Sequence, residues 1–180
     1  MSAFTREEYL MIALHCATSV RPGGLYSVVR DAWLIEDEYD ARAKLVTSHR
    51  VRVFYIEKDK DPTGRFMKRR LPFPQDILDA KWTDGSPLLP DKIVGCLFTT
   101  PAADLNKEVN TKLREIGVST REPFKRLYSG RHRARRRLNS CLDTDIRRYI
   151  MGHSHRRDPH DEYGGYPAHE VKPWIDIIRF

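Results

Sequence analysis

The chain has 180 residues, 40% of them hydrophobic and 32% charged, and 32 Lys and Arg against 25 Asp and Glu leave a net charge of +7. That length suits a single domain, spanning 1–180, with a real core. No apolar run approaches the roughly 20 residues that cross a bilayer, and Met1 to Glu8 lacks the layout of a secretory signal, so the expectation is a cytoplasmic protein with no membrane partner.

Thr5 followed by Glu8 forms a capping box for a helix running to about Cys16, with Tyr9, Ile12, Ala13 and Cys16 on one face. Arg21-Pro22-Gly23-Gly24 breaks that pattern, and a short helix is expected to follow through Val29. From about Lys44 to Leu71 the signal is strand. Val51, Val53 and Tyr55 alternate with Arg52, Phe54 and Ile56, which predicts a strand covered on both faces. Asp61-Pro62-Thr63-Gly64 is turn chemistry, so this stretch reads as a hairpin that ends at Pro72 and Pro74.

After the loop around Asp84 to Pro90, the spacing of Leu105, Val109, Leu113 and Ile116 predicts an amphipathic helix stopped by Gly117. Ser129 to Leu138 and Thr144 to Met151 read as two more helices, the second ended by Gly152. In the tail, Val171, Trp174, Ile175 and Ile178 share one helical face. The expected fold class is α+β: mostly helical, with a small antiparallel sheet.

Cys16, Cys96 and Cys141 are three thiols at wide spacing with no CxxC pair, which argues against a zinc ribbon or a disulfide framework and for reduced thiols in or near the core. His153, His155, His160 and His169 raise a metal reading, but their spacings fit no helical ligand pair, and no metal site is expected.

The charge is localised. Arg121 to Arg157 carries twelve Lys and Arg against three acids, a local net of +9, while the remainder nets −2. Arg131, Arg133, Arg135, Arg136 and Arg137 point around a whole helix, so some of them face inward or face a ligand. Phosphate is the natural ligand for such a cluster. The same two-helix segment also admits a helix-turn-helix reading, but that reading has no use for Arg21 or for a tyrosine beyond the second helix.

Four motifs occur in order: Ala17-Thr18-Ser19-Val20-Arg21, the hairpin turn beside Lys60, Tyr128-Ser129-Gly130-Arg131-His132, and Met151-Gly152-His153-Ser154 with Tyr163 ten positions on. Together they resemble the catalytic domain of tyrosine recombinases, the phage-integrase family. The resemblance covers nearly the whole chain and implies a tyrosine-recombinase-like fold without the family's separate N-terminal core-binding domain. It implies Arg21 and Arg131 on the scissile phosphate, Lys60 (alternatively Lys58) as acid for the leaving 5′ oxygen, and His153 beside the phosphate. Tyr163, with Tyr166 as runner-up, would be the nucleophile of a 3′-phosphotyrosyl intermediate. Tyr128, His132, Arg133, Arg135 and Arg136 are the further expected DNA contacts. No cofactor is implied. The implied partner is double-stranded DNA, with self-association on it through the C-terminal helix.

The chain departs from the family's pattern in the spacing of ten from His153 to Tyr163, one longer than the commonest, and at three residues. Gly24 stands where an acidic residue is usual, Ser19 where glycine is usual, and Tyr128 where histidine or lysine is usual. A domain that binds DNA without cleaving it is therefore the alternative.

Overall fold

The computed structural model describes residues 3–60, 66–118, 127–141, 143–153 and 166–178. Among these it is an α+β structure of seven helices and one three-stranded antiparallel sheet. No helix among the described residues is long and apolar enough to cross a membrane.

Helix α1 spans Arg6–Thr18 and opens with the expected capping box: the Glu8 N–H donates to Thr5 Oγ1, and the Thr5 N–H donates to the Glu8 carboxylate at 2.6 Å. The expected single buried face is corrected. Leu10, Met11, Ala13, Leu14 and Ala17 are buried, whereas Tyr9, Ile12 and Cys16 are only half-buried. The cause is position, because other helices touch α1 on several sides and no one stripe carries its burial.

Helix α2 is a single turn, Pro22–Leu25. The helix expected through Val29 gives way to strand β1, Val28–Asp40, which pairs along its length with β2, Leu45–Lys60. Two glycines and a β-branched Val28-Val29 pair make a poor helix, and an available partner strand decides the outcome. Strand β3, Phe66–Pro72, completes the sheet in the order β1-β2-β3. The connecting turn at 61–65 lies outside the described residues. As the alternation predicts, Val51 to Phe54 and Ile56 are buried on both faces of β2.

A short α3, Gln75–Leu78, leads to a long loop and then to α4, Ala102–Glu115, which buries Leu105 and Val109 and ends before Gly117 at φ +81°. Helix α5, Ser129–Arg137, runs through a 3-10 turn, Leu138–Ser140, to α6, Thr144–Ile150. Helix α7, Ala168–Ile178, buries Val171, Ile175 and Ile178, with Trp174 half-buried against the same core and Ile177 turned outward. The three cysteines are unpaired; Cys141 is buried, Cys16 half-buried and, against expectation, Cys96 is exposed.

Candidate functional site

Arg131 organises the site. Helix α5 lies close on α1 because residue 130 is glycine: a Cβ there would stand 2.6 Å from Cys16 Sγ and 2.9 Å from His15 Cδ2. The next residue, Arg131, is driven inward and is only 5% exposed. Its Nη1 donates to the Ser19 carbonyl at 2.6 Å, and its Nη2 donates to the Met151 carbonyl. Ser19 caps α1 in the left-handed conformation, two residues before Arg21. Met151 caps α6, two residues before His153. One guanidinium therefore pins together the two turns that carry Arg21 and His153.

The His153 turn is a Schellman motif. The His153 N–H donates to the Arg148 carbonyl at 2.9 Å and the Gly152 N–H to the Tyr149 carbonyl at 3.0 Å, with Gly152 at φ +63°. Glycine is needed here twice over, since a Cβ would also stand 2.9 Å from both Arg69 Nη2 and Asp59 Oδ2. Those two residues are the ones that sequence reasoning missed. Both are fully buried. Arg69 Nε and Nη2 donate to Asp59 Oδ2 at 3.0 and 2.5 Å, and Arg69 Nη1 donates to the Tyr149 and Ile150 carbonyls at 2.7 and 2.8 Å.

The other Asp59 oxygen, Oδ1, faces Arg21 Nη1 at 3.5 Å. A Cβ on Gly24 would come within 3.1 Å of that same oxygen. Position 24 is glycine, and the Asp59 carboxylate from β2 occupies the space beside it.

Arg21 is half-buried at the N-terminus of α2 and lines an open cleft of about 660 Å³ with Gly24, Tyr26, Ser27, Lys58 and Asp59. Lys58, the alternative general acid, is exposed on this cleft, its backbone N–H held by Ser27 Oγ at 2.9 Å. Lys60 closes β2, opposite Phe66; its side chain lies outside the described residues, as does Tyr163. Tyr166 packs its ring 5.5 Å from that of Tyr149. Burial and the carboxylates of Asp145, Asp143 and Glu170 push its phenol pKa up, the opposite of what a phenolate nucleophile requires.

The electrostatics follow from the clustering. Burial, then the charges of Arg21 and Arg69, bring Arg131 down to about 10, so it keeps its proton at neutral pH. Burial, then Arg131, Arg21, Arg135 and Arg69, lower His153 below the ordinary imidazole value and hold it neutral there. His132, Arg133, Arg135 and Arg136 are all exposed on α5, and Tyr128 precedes it with its ring edge-on to His132 at 5.7 Å.

No family model, curated protein or solved structure matches the chain.

Proposed function

We propose that this chain is a tyrosine recombinase catalytic domain that breaks and rejoins DNA through a 3′-phosphotyrosyl bond to Tyr163. The observation that carries this reading is the Arg131 bridge, which gathers Arg21 and His153, motifs 132 residues apart in sequence, into one cationic site. A phosphodiester resists attack because its charge repels nucleophiles. Fixed guanidinium groups neutralise its non-bridging oxygens and stay charged at any working pH. A neutral His153 can donate a hydrogen bond to the same phosphate, and its lone pair can take a proton. Lys60, or Lys58 on the cleft wall, would protonate the leaving 5′ oxygen. The ester formed on tyrosine stores the bond energy, so religation needs no external energy source. The exposed arginines of α5 supply salt-sensitive affinity for the flanking DNA, and the outward Ile177 of α7 suits contact with a second protomer on DNA.

A second reading is favoured by the burial of Arg131, whose two Nη atoms are occupied by carbonyls. In it the cluster is a structural junction, and the domain binds DNA without cutting. A nicked suicide duplex separates the two. The expected result is a covalent protein–DNA adduct that survives denaturant and disappears in Tyr163→Phe. Salt-dependent binding with no adduct under any condition leaves only the second reading, and an adduct that persists in Tyr163→Phe overturns the choice of nucleophile.

A further inference from the structure

Glu36, Glu38, His49 and His169 form a separate polar cluster that shares no residue with the site above. Alternation along β1 sends residues 36 and 38 to the same face. The β1–β2 register sets His49 opposite Glu36, and so on that face too. Helix α7 begins at Ala168 and lays His169 against it. His49 Nε2 lies 3.1 Å from Glu38 Oε2. The rings of His49 and His169 stack with centroids 4.7 Å and planes 6° apart. One donor atom from each of Glu38, His49 and His169 lies within 4.8 Å of the other two.

Glu36 is the second, independent observation. Its Oε2 accepts both the backbone N–H of His169 and its ring Nδ1, each at 2.9 Å. A carboxylate holding Nδ1–H fixes the imidazole tautomer and leaves Nε2 with a lone pair, which is how metal-bound histidines are oriented. Four-coordinate zinc with N and O ligands at about 2.0–2.1 Å sets neighbouring donor atoms about 3.3 Å apart. The Glu38–His49 pair already has nearly that spacing. Parallel rings cannot aim both lone pairs at one ion, so binding turns one imidazole out of the stack.

We propose that Glu38, His49 and His169 bind one divalent transition-metal ion of the zinc type, with Glu36 orienting His169. The ligand set is two histidines and one carboxylate with an open fourth position for water. The bound ion ties the start of α7 to the β1–β2 ribbon. Its donors come from three elements, which is why histidine spacing along the chain does not reveal it.

The test uses the full chain stripped with a chelator and titrated with zinc, and with cobalt(II) as a spectroscopic substitute. Expected are one ion per chain, intense visible cobalt absorption of a low-coordinate site, and a higher melting temperature with zinc. Glu36→Gln should weaken binding about tenfold, and His49→Ala and His169→Ala should weaken it at least that much. Glu38→Gln, on an exposed strand position, gives a ligand-loss variant that should fold if a histidine variant does not. His153→Ala and His132→Ala should leave the affinity unchanged. Absence of stoichiometric binding, or binding lost in His153→Ala but kept in Glu38→Gln and His49→Ala, overturns the proposal.

Discussion

Arg52 and Arg69 meet the same physical problem in two regions of the molecule. Each is an arginine of the sheet, Arg52 on the central strand β2 and Arg69 on the edge strand β3, almost wholly buried, paired with one aspartate and capping two backbone carbonyls. Arg52 Nε donates to Asp31 Oδ2 at 2.6 Å and its Nη2 to Pro90 O and Asp91 O at 2.7 and 3.0 Å. Arg69 repeats the pattern with Asp59, Tyr149 O and Ile150 O. What differs is where the second carboxylate oxygen points. In Asp31 it takes the Ile93 N–H at 2.6 Å and fixes a loop. In Asp59 it faces Arg21, while the carbonyls held by Arg69 belong to the helix end that presents His153. Buried ion pairing by itself therefore does not single out the candidate site; what separates the two pairs is the elements they join.

The largest expected effects test that distinction. Arg69→Ala and Arg52→Ala each remove the nearest cationic partner of a buried carboxylate, and each should cost about 3–5 kcal/mol in urea unfolding. Under the proposed function, their effects on DNA cleavage should part. At a temperature where both variants remain folded, Arg69→Ala should lose the covalent adduct because Arg21 and the His153 turn lose their common anchor, while Arg52→Ala should keep it. Equal loss of adduct in both would break the comparison and reduce Arg69 to a structural pair like the other.

His15 sharpens the contrast from the neutral side. It is buried beside Arg131 and joins the Val20 carbonyl through Nδ1 at 2.7 Å. Burial, against the pull of that carbonyl and with the Arg131 charge nearby, brings its pKa down to about 4. The unfolded value is about 6.5, so the unfolded chain binds the extra proton between the two. Stability is therefore full above about pH 6.5 and falls as the pH drops towards 4, on the order of 3 kcal/mol in all. Urea midpoints measured across that interval should show the slope, and His15→Gln should remove most of it. His153, also depressed, contributes a smaller part that His153→Gln would subtract. Glu7, its pKa lowered to about 2 with burial opposing and the Thr99 and Thr100 hydrogen bonds prevailing, adds its loss mainly below the His15 interval, as the pH falls from its unfolded value towards 2.

The parts of this site legible in the sequence were those set by local rules. The Thr5–Glu8 capping box, the Gly152 helix end and an inward arginine on α5 each follow from spacing and side-chain chemistry within a few residues. Strand β1 did not announce itself, because Asp31, Glu36, Asp37, Glu38 and Asp40 weaken strand propensity and only pairing with β2 makes the segment extended. Asp59 was hidden by a bulge. Ile56 pairs with Arg69 but Asp59 with Met67, so β2 carries one extra residue, which turns Asp59 inward where simple alternation would have put Lys58. Arg69 was within reach: counting back two from buried Leu71 puts it on the core face.

The smallest effect concerns two glycines on either side of the same bridge. At Gly23, beside Arg21, an added Cβ meets nothing within 4 Å; at Gly130, beside Arg131, it meets Cys16 Sγ at 2.6 Å and the Cys16 Cα at 3.3 Å. Gly23→Ala should be close to neutral. Gly130→Ala cannot be relieved by a rotamer alone, since backbone lies behind the sulfur, so α5 must back away from α1 at about 1–3 kcal/mol. That shift moves the Arg131 guanidinium off the Ser19 and Met151 carbonyls together. Cleavage by Gly130→Ala, measured per folded molecule, should therefore fall while Gly23→Ala matches the parent. If Gly130→Ala cleaves normally at the same stability cost, the two turns are held by Asp59 and Arg69 alone, and the bridge through Arg131 is dispensable.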